Sequence, residues 1–190
     1  EAAAVWPGQS AIRFVDASSS VGIRFLYDNG VVSGQEGLRM HQWTGGGAGV
    51  IDIDADSWPD LYFSQGADDK DNGRSEGASG ALYRNLRGNV FDDVSRQARV
   101  SATTFGQGVA AGDVNNDGFD DLYVAGTQGN ILHINQGDGT FQEVSGFHGS
   151  PGWTTSVAIA DLNGDACPDI YDVNYIGGPN AFLQTCDHEG

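Results

Sequence analysis

The sequence predicts an all-β chain built from about three four-stranded antiparallel units. Three observations carry this. Segments beginning at Gly47 ("GAGVIDIDADSWPDLYFSQG"), Gly106 ("GQGVAAGDVNNDGFDDLYVAGT") and Thr154 ("TTSVAIADLNGDACPDIYDVNY") share a small-residue start, a short apolar run, an acidic loop and a second run opening on Leu-Tyr or Ile-Tyr. A second block, "LYRNLRGNVFDDVS" from Leu82, matches "LHINQGDGTFQEVS" from Leu132, with Asn85 and Asn135 each six residues before Phe91 and Phe141. The 29 glycines are scattered between short apolar runs, where they read as turn punctuation.

Each unit therefore holds a first strand, an acidic loop, a second strand, a third strand, a turn and a fourth strand. Units of this kind are β-propeller-type blades, and propellers generally close with about 4 to 8 of them. The expected division is an N-terminal segment over 1–45, blade 1 over 46–103, blade 2 over 104–153 and an incomplete blade 3 over 154–190. Blade 1 is longer because "ADDKDNGRSEGASG" is inserted between its second and third strands; the insertion includes Asn72-Gly73-Arg74, a string too short to define a ligand. "FVDASSSVGI" from Phe14 matches "FDDVSRQARV" from Phe91, so the chain opens on a spare fourth strand over 14–18. "LQTCDHEG" from Leu183 matches "LHINQGDG" from Leu132, so the last unit stops before its own fourth strand. "IRFLYDNG" from Ile23 reads as a further strand and turn, while "VVSGQEGLRMHQW" has no clear period.

Composition narrows the function. A formal net charge of −17 supplies no basic patch for nucleic acid, and cations are the natural counterpart of such a surface. No apolar stretch approaches the roughly 20 residues of a membrane-inserted helix. The chain begins at Glu1 without a methionine and reads as a processed or excised segment. Cys167 and Cys186 flank an expected hairpin that sets them opposite one another. A cross-strand disulfide suited to an extracellular setting and two unrelated small side chains both remain open there.

The acidic loops carry the chemistry. Positions one, three, five and nine are Asp52, Asp54, Asp56 and Asp60 in the first loop; Asp113, Asn115, Asp117 and Asp121 in the second; and Asp161, Asn163, Asp165 and Asp169 in the third. Calcium takes six to eight oxygen ligands at about 2.3–2.6 Å, and alternating positions of a tight loop aim carboxylates at one point. A backbone carbonyl usually fills position seven, here Trp58, Phe119 and Cys167. About three Ca2+ sites are expected. An EF-hand needs flanking helices and a glutamate at position twelve, where this chain has Phe63, Val124 and Asp172. If calcium stands about tenfold above its dissociation constant, each site adds about 1.4 kcal/mol, a structural contribution.

At these residues the chain resembles the FG-GAP or VCBS repeats of integrin-α-type β-propellers, whose loop pattern is D-x-[DN]-x-D-G-x-x-D. "DVNNDGFDDLY" matches in full, whereas Ser57 and Ala166 stand where the other two loops would have the glycine that sets the turn. "GGGAGVIDID", "ALYRNL" and "FDDVSRQARV" resemble, more narrowly, the cartilage-acidic-protein and ASPIC/UnbV-type bacterial repeat proteins. The resemblance implies secretion, calcium binding and propeller blades, and supplies no substrate.

No catalytic constellation stands out. His41, His133, His148 and His188 lie at unrelated places without a nucleophile motif. The expected function is a secreted calcium-binding β-repeat protein with a structural, adhesive or self-assembly role, its partners other copies of itself or an extracellular protein or glycan. In the assembly reading, the opening strand of one chain completes the last blade of another, giving a ring or a filament. The alternatives are a glycan-binding module, for which Trp6, Trp43, Trp58 and Trp153 are the stacking candidates, and a piece of a larger secreted propeller.

Overall fold

In a computed structural model, the structure describes residues 13–31, 34, 37, 39–66, 79–87, 90–100, 105–147, 149 and 152–176. These form three antiparallel sheets and almost no helix. The first sheet runs β1 (Ala48–Ile51), β2 (Asp60–Phe63), β3 (Ala81–Asn85) and β4 (Phe91–Asp93) in spatial order. The second repeats it with β5 (Gly106–Gly112), β6 (Asp121–Gly126), β7 (Ile131–Asn135) and β8 (Phe141–Glu143), and the third pairs β9 (Trp153–Ala160) with β10 (Asp169–Ile176). The hairpin-by-hairpin order is that of propeller-type blades. The insertion, the Asn72–Arg74 string and the segment holding Cys186 lie outside the described residues; Cys167 is exposed.

Residues paired across a ladder share a face, so the register shows which side chains meet between sheets. In the first sheet Gly49, Tyr62 and Leu82 form one such row; in the second, Val109, Val124 and Ile131 form another. These rows meet. Ile51, Tyr62 and Leu82 join Leu122, Val124 and Ile131 in a buried cluster closed by Ile53, Ala98, Val100 and Phe141. The core is therefore the seam between blades. The strand β5 lies between β1 and β9, and glycine lets these first strands approach closely. A Cβ on Gly47 would stand 2.0 Å from the Gln107 carbonyl oxygen, and one on Gly108 would stand 3.0 Å from that of Thr155.

The two seams differ chemically. Tyr123 donates its hydroxyl to the Asp172 carboxylate at 3.0 Å, and Asn130 Nδ2 donates to both the Tyr123 hydroxyl and Asp172 Oδ2. Tyr62 is the counterpart of Tyr123 in the first blade, but Val124 stands where Asp172 does, and the buried Tyr62 hydroxyl has no hydrogen-bond partner among the described atoms. A buried hydroxyl without a partner costs free energy that a phenyl ring does not. Tyr62→Phe is accordingly expected to leave stability unchanged or raise it by up to about 1 kcal/mol, and Tyr123→Phe to lower it by about 1–3 kcal/mol. Urea unfolding of the two variants checks this, and equal losses in both would contradict the asymmetry.

His133 lies on β7 in the row of Ala111 and Leu122. Both its ring nitrogens are buried without a partner among the described atoms, and burial pushes the imidazole down to about 4. It is a neutral core residue. His41, in the 3₁₀ turn Met40–Trp43, packs edge-on against Phe105, 4.7 Å between ring centroids, and lies edge-on to Trp153 as well.

The opening segment differs from expectation in an instructive way. Among the described residues, Phe14–Ala17 pairs with no strand, Phe14 and Val15 are exposed, and Ser18–Val21 forms a single helical turn, α1. What repeats is the turn. Asp16 Oδ1 accepts from Ser18 N and Oγ as Asp93 Oδ1 accepts from Ser95 N and Oγ. The bonds Val21 N to Ala17 O and Ile23 N to Ser18 O match Ala98 N to Val94 O and Val100 N to Ser95 O. The position repeats too: Ala98 O accepts from Phe141 N at the head of β8, and a Cβ on Gly22 would touch Phe91 O at the head of β4. The segment thus has the turn and seat of a fourth strand but, among the described residues, no sheet that it joins.

Ile23–Gly30 is not the strand the sequence suggests. It is tied to the first blade by side chains: Gln65 accepts from Asp28 N and donates to Leu26 O, and Phe25 stacks on Phe63 at 5.2 Å. Contacts with the Gln65 amide and an aromatic ring hold it where a backbone ladder was expected.

Candidate metal loops

Each acidic loop joins the first and second strands of its sheet and is folded by its own carboxylates. The first-position aspartate receives the backbone N–H groups of positions five and six. Asp52 binds Asp56 N and Ser57 N, Asp113 binds Asp117 N and Gly118 N, and Asp161 binds Asp165 N and Ala166 N, all at 2.8–3.2 Å. The fifth-position carboxylate then receives the N–H of position seven, from Trp58, Phe119 and Cys167, at 2.8–2.9 Å. That fixes the expected carbonyl donor against the fifth residue. The third-position amides Asn115 and Asn163 accept from Asp117 N and Asp165 N.

These turns need the left-handed backbone twice, not once. At position six Ser57, Gly118 and Ala166 have φ of 67°, 93° and 66°; at position four Ala55, Asn116 and Gly164 have 54°, 58° and 82°. The glycine pattern flags only the sixth. A Cβ in this region is held at a steric cost of about 1 kcal/mol, so loop one, with Ala55 and Ser57, carries that cost twice, while loops two and three carry it once each, at Asn116 and Ala166.

The ninth-position aspartates do structural work. Asp60 is buried; its Oδ2 accepts from Ile53 N at 2.9 Å and its Oδ1 from Asn85 N at 2.6 Å. Asp121, fully buried, repeats this with Val114 N and Asn135 N at 2.9 and 2.8 Å. Asp169 accepts from Leu162 N at 3.0 Å. Each of the first two ties its loop to the third strand through a backbone N–H, at the repeated positions Asn85 and Asn135. Asn135 Nδ2 also donates to Ile53 O, bridging the first loop to the second blade.

Electrostatics follow burial. Burial chiefly raises the Asp60 and Asp121 carboxyls, against their N–H partners; Asp54 and Asp52 push Asp60 further up, as Asp117 and Asp113 push Asp121. Exposed Asp161 is lowered instead, by the N–H groups of Ala166 and Gly164. Among the described residues the tightest acidic group is Asp52, Asp54 and Asp60, with oxygens within 4.8 Å of one another. Asp56 stands apart, its Oδ2 3.6 Å from Arg87 Nε, and Asp54 Oδ2 pairs with the Arg84 guanidinium. Asp54 Oδ1 is buried with no hydrogen-bond partner among the described atoms. A set of carboxylate and amide oxygens with one such orphan fits a hard, oxygen-preferring cation, and lacks the sulfur and imidazole that softer metals select.

The aromatic candidates separate. Trp153 is buried in the core, Trp43 and Trp58 are exposed, and Trp6 and the histidines at 148 and 188 lie outside the described residues. No helix among the described residues is long and apolar enough to cross a membrane.

Against known proteins, the FG-GAP-like repeat matches residues 52–124 and 113–171, so that each match starts on the first aspartate of an acidic loop. Cartilage acidic protein 1 of Homo sapiens is 34% identical over 100 residues, and that of Mus musculus is likewise 34% identical over 100. The Xenopus tropicalis protein is 32% identical over 99. Each match covers 50% of this chain but 15–16% of the relative, so the chain spans a small part of the length of these proteins.

Proposed function

The chain belongs to the FG-GAP-like repeat family, and on that footing we propose that it is an extracellular β-repeat module, structural or adhesive rather than catalytic, whose acidic loops bind calcium. The observation that carries this is the recurrence of one carboxylate-wrapped turn in three loops, with Asp52, Asp54 and Asp60 converging in the first. Asp52, Asp54, Asp56 and Asp60 would hold the ion in loop one, with Asp113, Asn115, Asp117 and Asp121, and Asp161, Asn163, Asp165 and Asp169, as the other sets. A bound divalent ion supplies the positive charge that lets these carboxylates stay close together.

Self-assembly is the role supported by the sheet faces. Tyr62 and Tyr123 are fully buried under the next blade, whereas their counterpart Tyr171 is 57% exposed beside Val173 and Tyr175. A face of this composition, continuous with two packed seams, suits a further blade docking on it from another copy of the chain. The Phe14–Asp16 stretch, seated as a fourth strand but unpaired, suits strand exchange in the same contact.

Calorimetric titration with calcium and native mass with calcium or chelator test the two halves separately. Binding at about three sites and a calcium-dependent oligomer that deletion of residues 1–20 dissolves are expected. An absence of calcium binding overturns the metal reading, and a monomer in both conditions overturns self-assembly.

A further inference from the structure

Loop one has four patterned carboxylates where the other loops have three, yet it is also the loop that its own blade supplies with positive charge. Arg84, on β3, pairs with Asp54, and Arg87 lies beside Asp56. In the second blade the corresponding residues are Ile134 and Gly137, which carry no charge, and among the described residues no ion pair reaches Asp113, Asp117 or Asp121. Loop one thus sets four carboxylates against two guanidiniums, and loop two sets three against none. Asp54 stands between these claims. It contributes an oxygen to the Asp52–Asp54–Asp60 cluster, while its Oδ2 is held by Arg84 and its Oδ1 is buried without a partner among the described atoms.

Resting on the reading of loop one as a calcium site, we propose that Arg84 sets the affinity of that site. The guanidinium is a resident counter-ion on one of the ligand carboxylates, so an incoming divalent ion must take Asp54 from it or share Asp54 with it. Two positive groups on one carboxylate repel, and removing the fixed one tightens binding of the other by at least about tenfold at the separations a shared carboxylate imposes. The loop richest in acid is therefore a weaker calcium site than loop two, filling after it and emptying before it. Arg87, farther from its partner and more exposed, adds a smaller effect of the same sign.

Titration of the whole chain with calcium chloride tests this in wild type, Arg84→Ile, Arg84→Lys and Asp52→Asn. Arg84→Ile installs the residue found in the second blade, and the Arg84 side chain is 45% exposed, so its loss leaves the core intact. The expected result is an unchanged number of sites with one tightened at least about tenfold, and near wild-type affinity in Arg84→Lys, which keeps the charge. The tightened site should vanish in Arg84→Ile combined with Asp52→Asn. Unchanged or weaker binding in Arg84→Ile overturns the proposal while leaving the calcium reading in place. If Asp52→Asn removes no site, loop one is not a calcium site and both fall.

Discussion

Asp121→Ala is expected to destabilise the chain by about 4 kcal/mol, and to do so with or without calcium. The carboxylate is fully buried and accepts from two backbone N–H groups, Val114 in the loop and Asn135 on β7. Alanine leaves both donors without a partner, at about 1–3 kcal/mol each, with the higher end suited to bonds that a charged acceptor had made. Burial already disfavours the charged carboxylate, and its N–H partners work against that burial. Asp121→Asn should recover part of the loss, since one amide oxygen can replace one of the two carboxylate acceptors. Urea unfolding in excess calcium and in chelator is the measurement. A loss seen only with calcium would make Asp121 a ligand first and a staple second.

Gly47→Ala is expected to cost about 3 kcal/mol, as overpacking between two backbones does when neither can yield. The new methyl would stand 2.0 Å from the Gln107 carbonyl oxygen and 3.0 Å from Val109 Cγ2, so β5 must move away from the first blade. That movement opens the seam in which Tyr62, Leu82, Leu122 and Val124 are buried. Gly108→Ala, whose methyl would meet Ser156 Cα at 2.9 Å, tests the same contact one blade later and should cost less. Thermal unfolding of both variants checks the order, and a neutral Gly47→Ala would show that the first strands tolerate a wider spacing.

The four-strand order of both sheets was legible in the sequence because strand, loop and strand recur with the same spacing and because Leu-Tyr recurs at the second strand each time. The acidic loops were legible for the same reason. Two parts were not. Ile23–Gly30 has the apolar content of a strand, but strand identity needs a ladder partner, and the described contacts of Asp28 N and Leu26 O go to the Gln65 side chain. The division of labour among the loop carboxylates was equally hidden. Spacing presents positions one, three, five and nine as equal ligands, whereas burial turns Asp60 and Asp121 into staples, and Arg84 and Arg87 engage Asp54 and Asp56 from neighbouring positions of the blade.

By itself, then, the sequence determined what is local and periodic: four-strand units, turns that carboxylates can fold upon themselves, and a surface charge that seeks cations. Only the tertiary structure decided what those residues face. Tyr62, Tyr123 and Tyr171 are one repeated position in the sequence, yet in space one hydroxyl has no partner among the described atoms, one is locked to Asp172 and one ring is exposed to solvent. The physical reason is that hydrogen bonding, desolvation and charge pairing depend on which side chain of the next blade stands opposite, and that neighbour is distant along the chain.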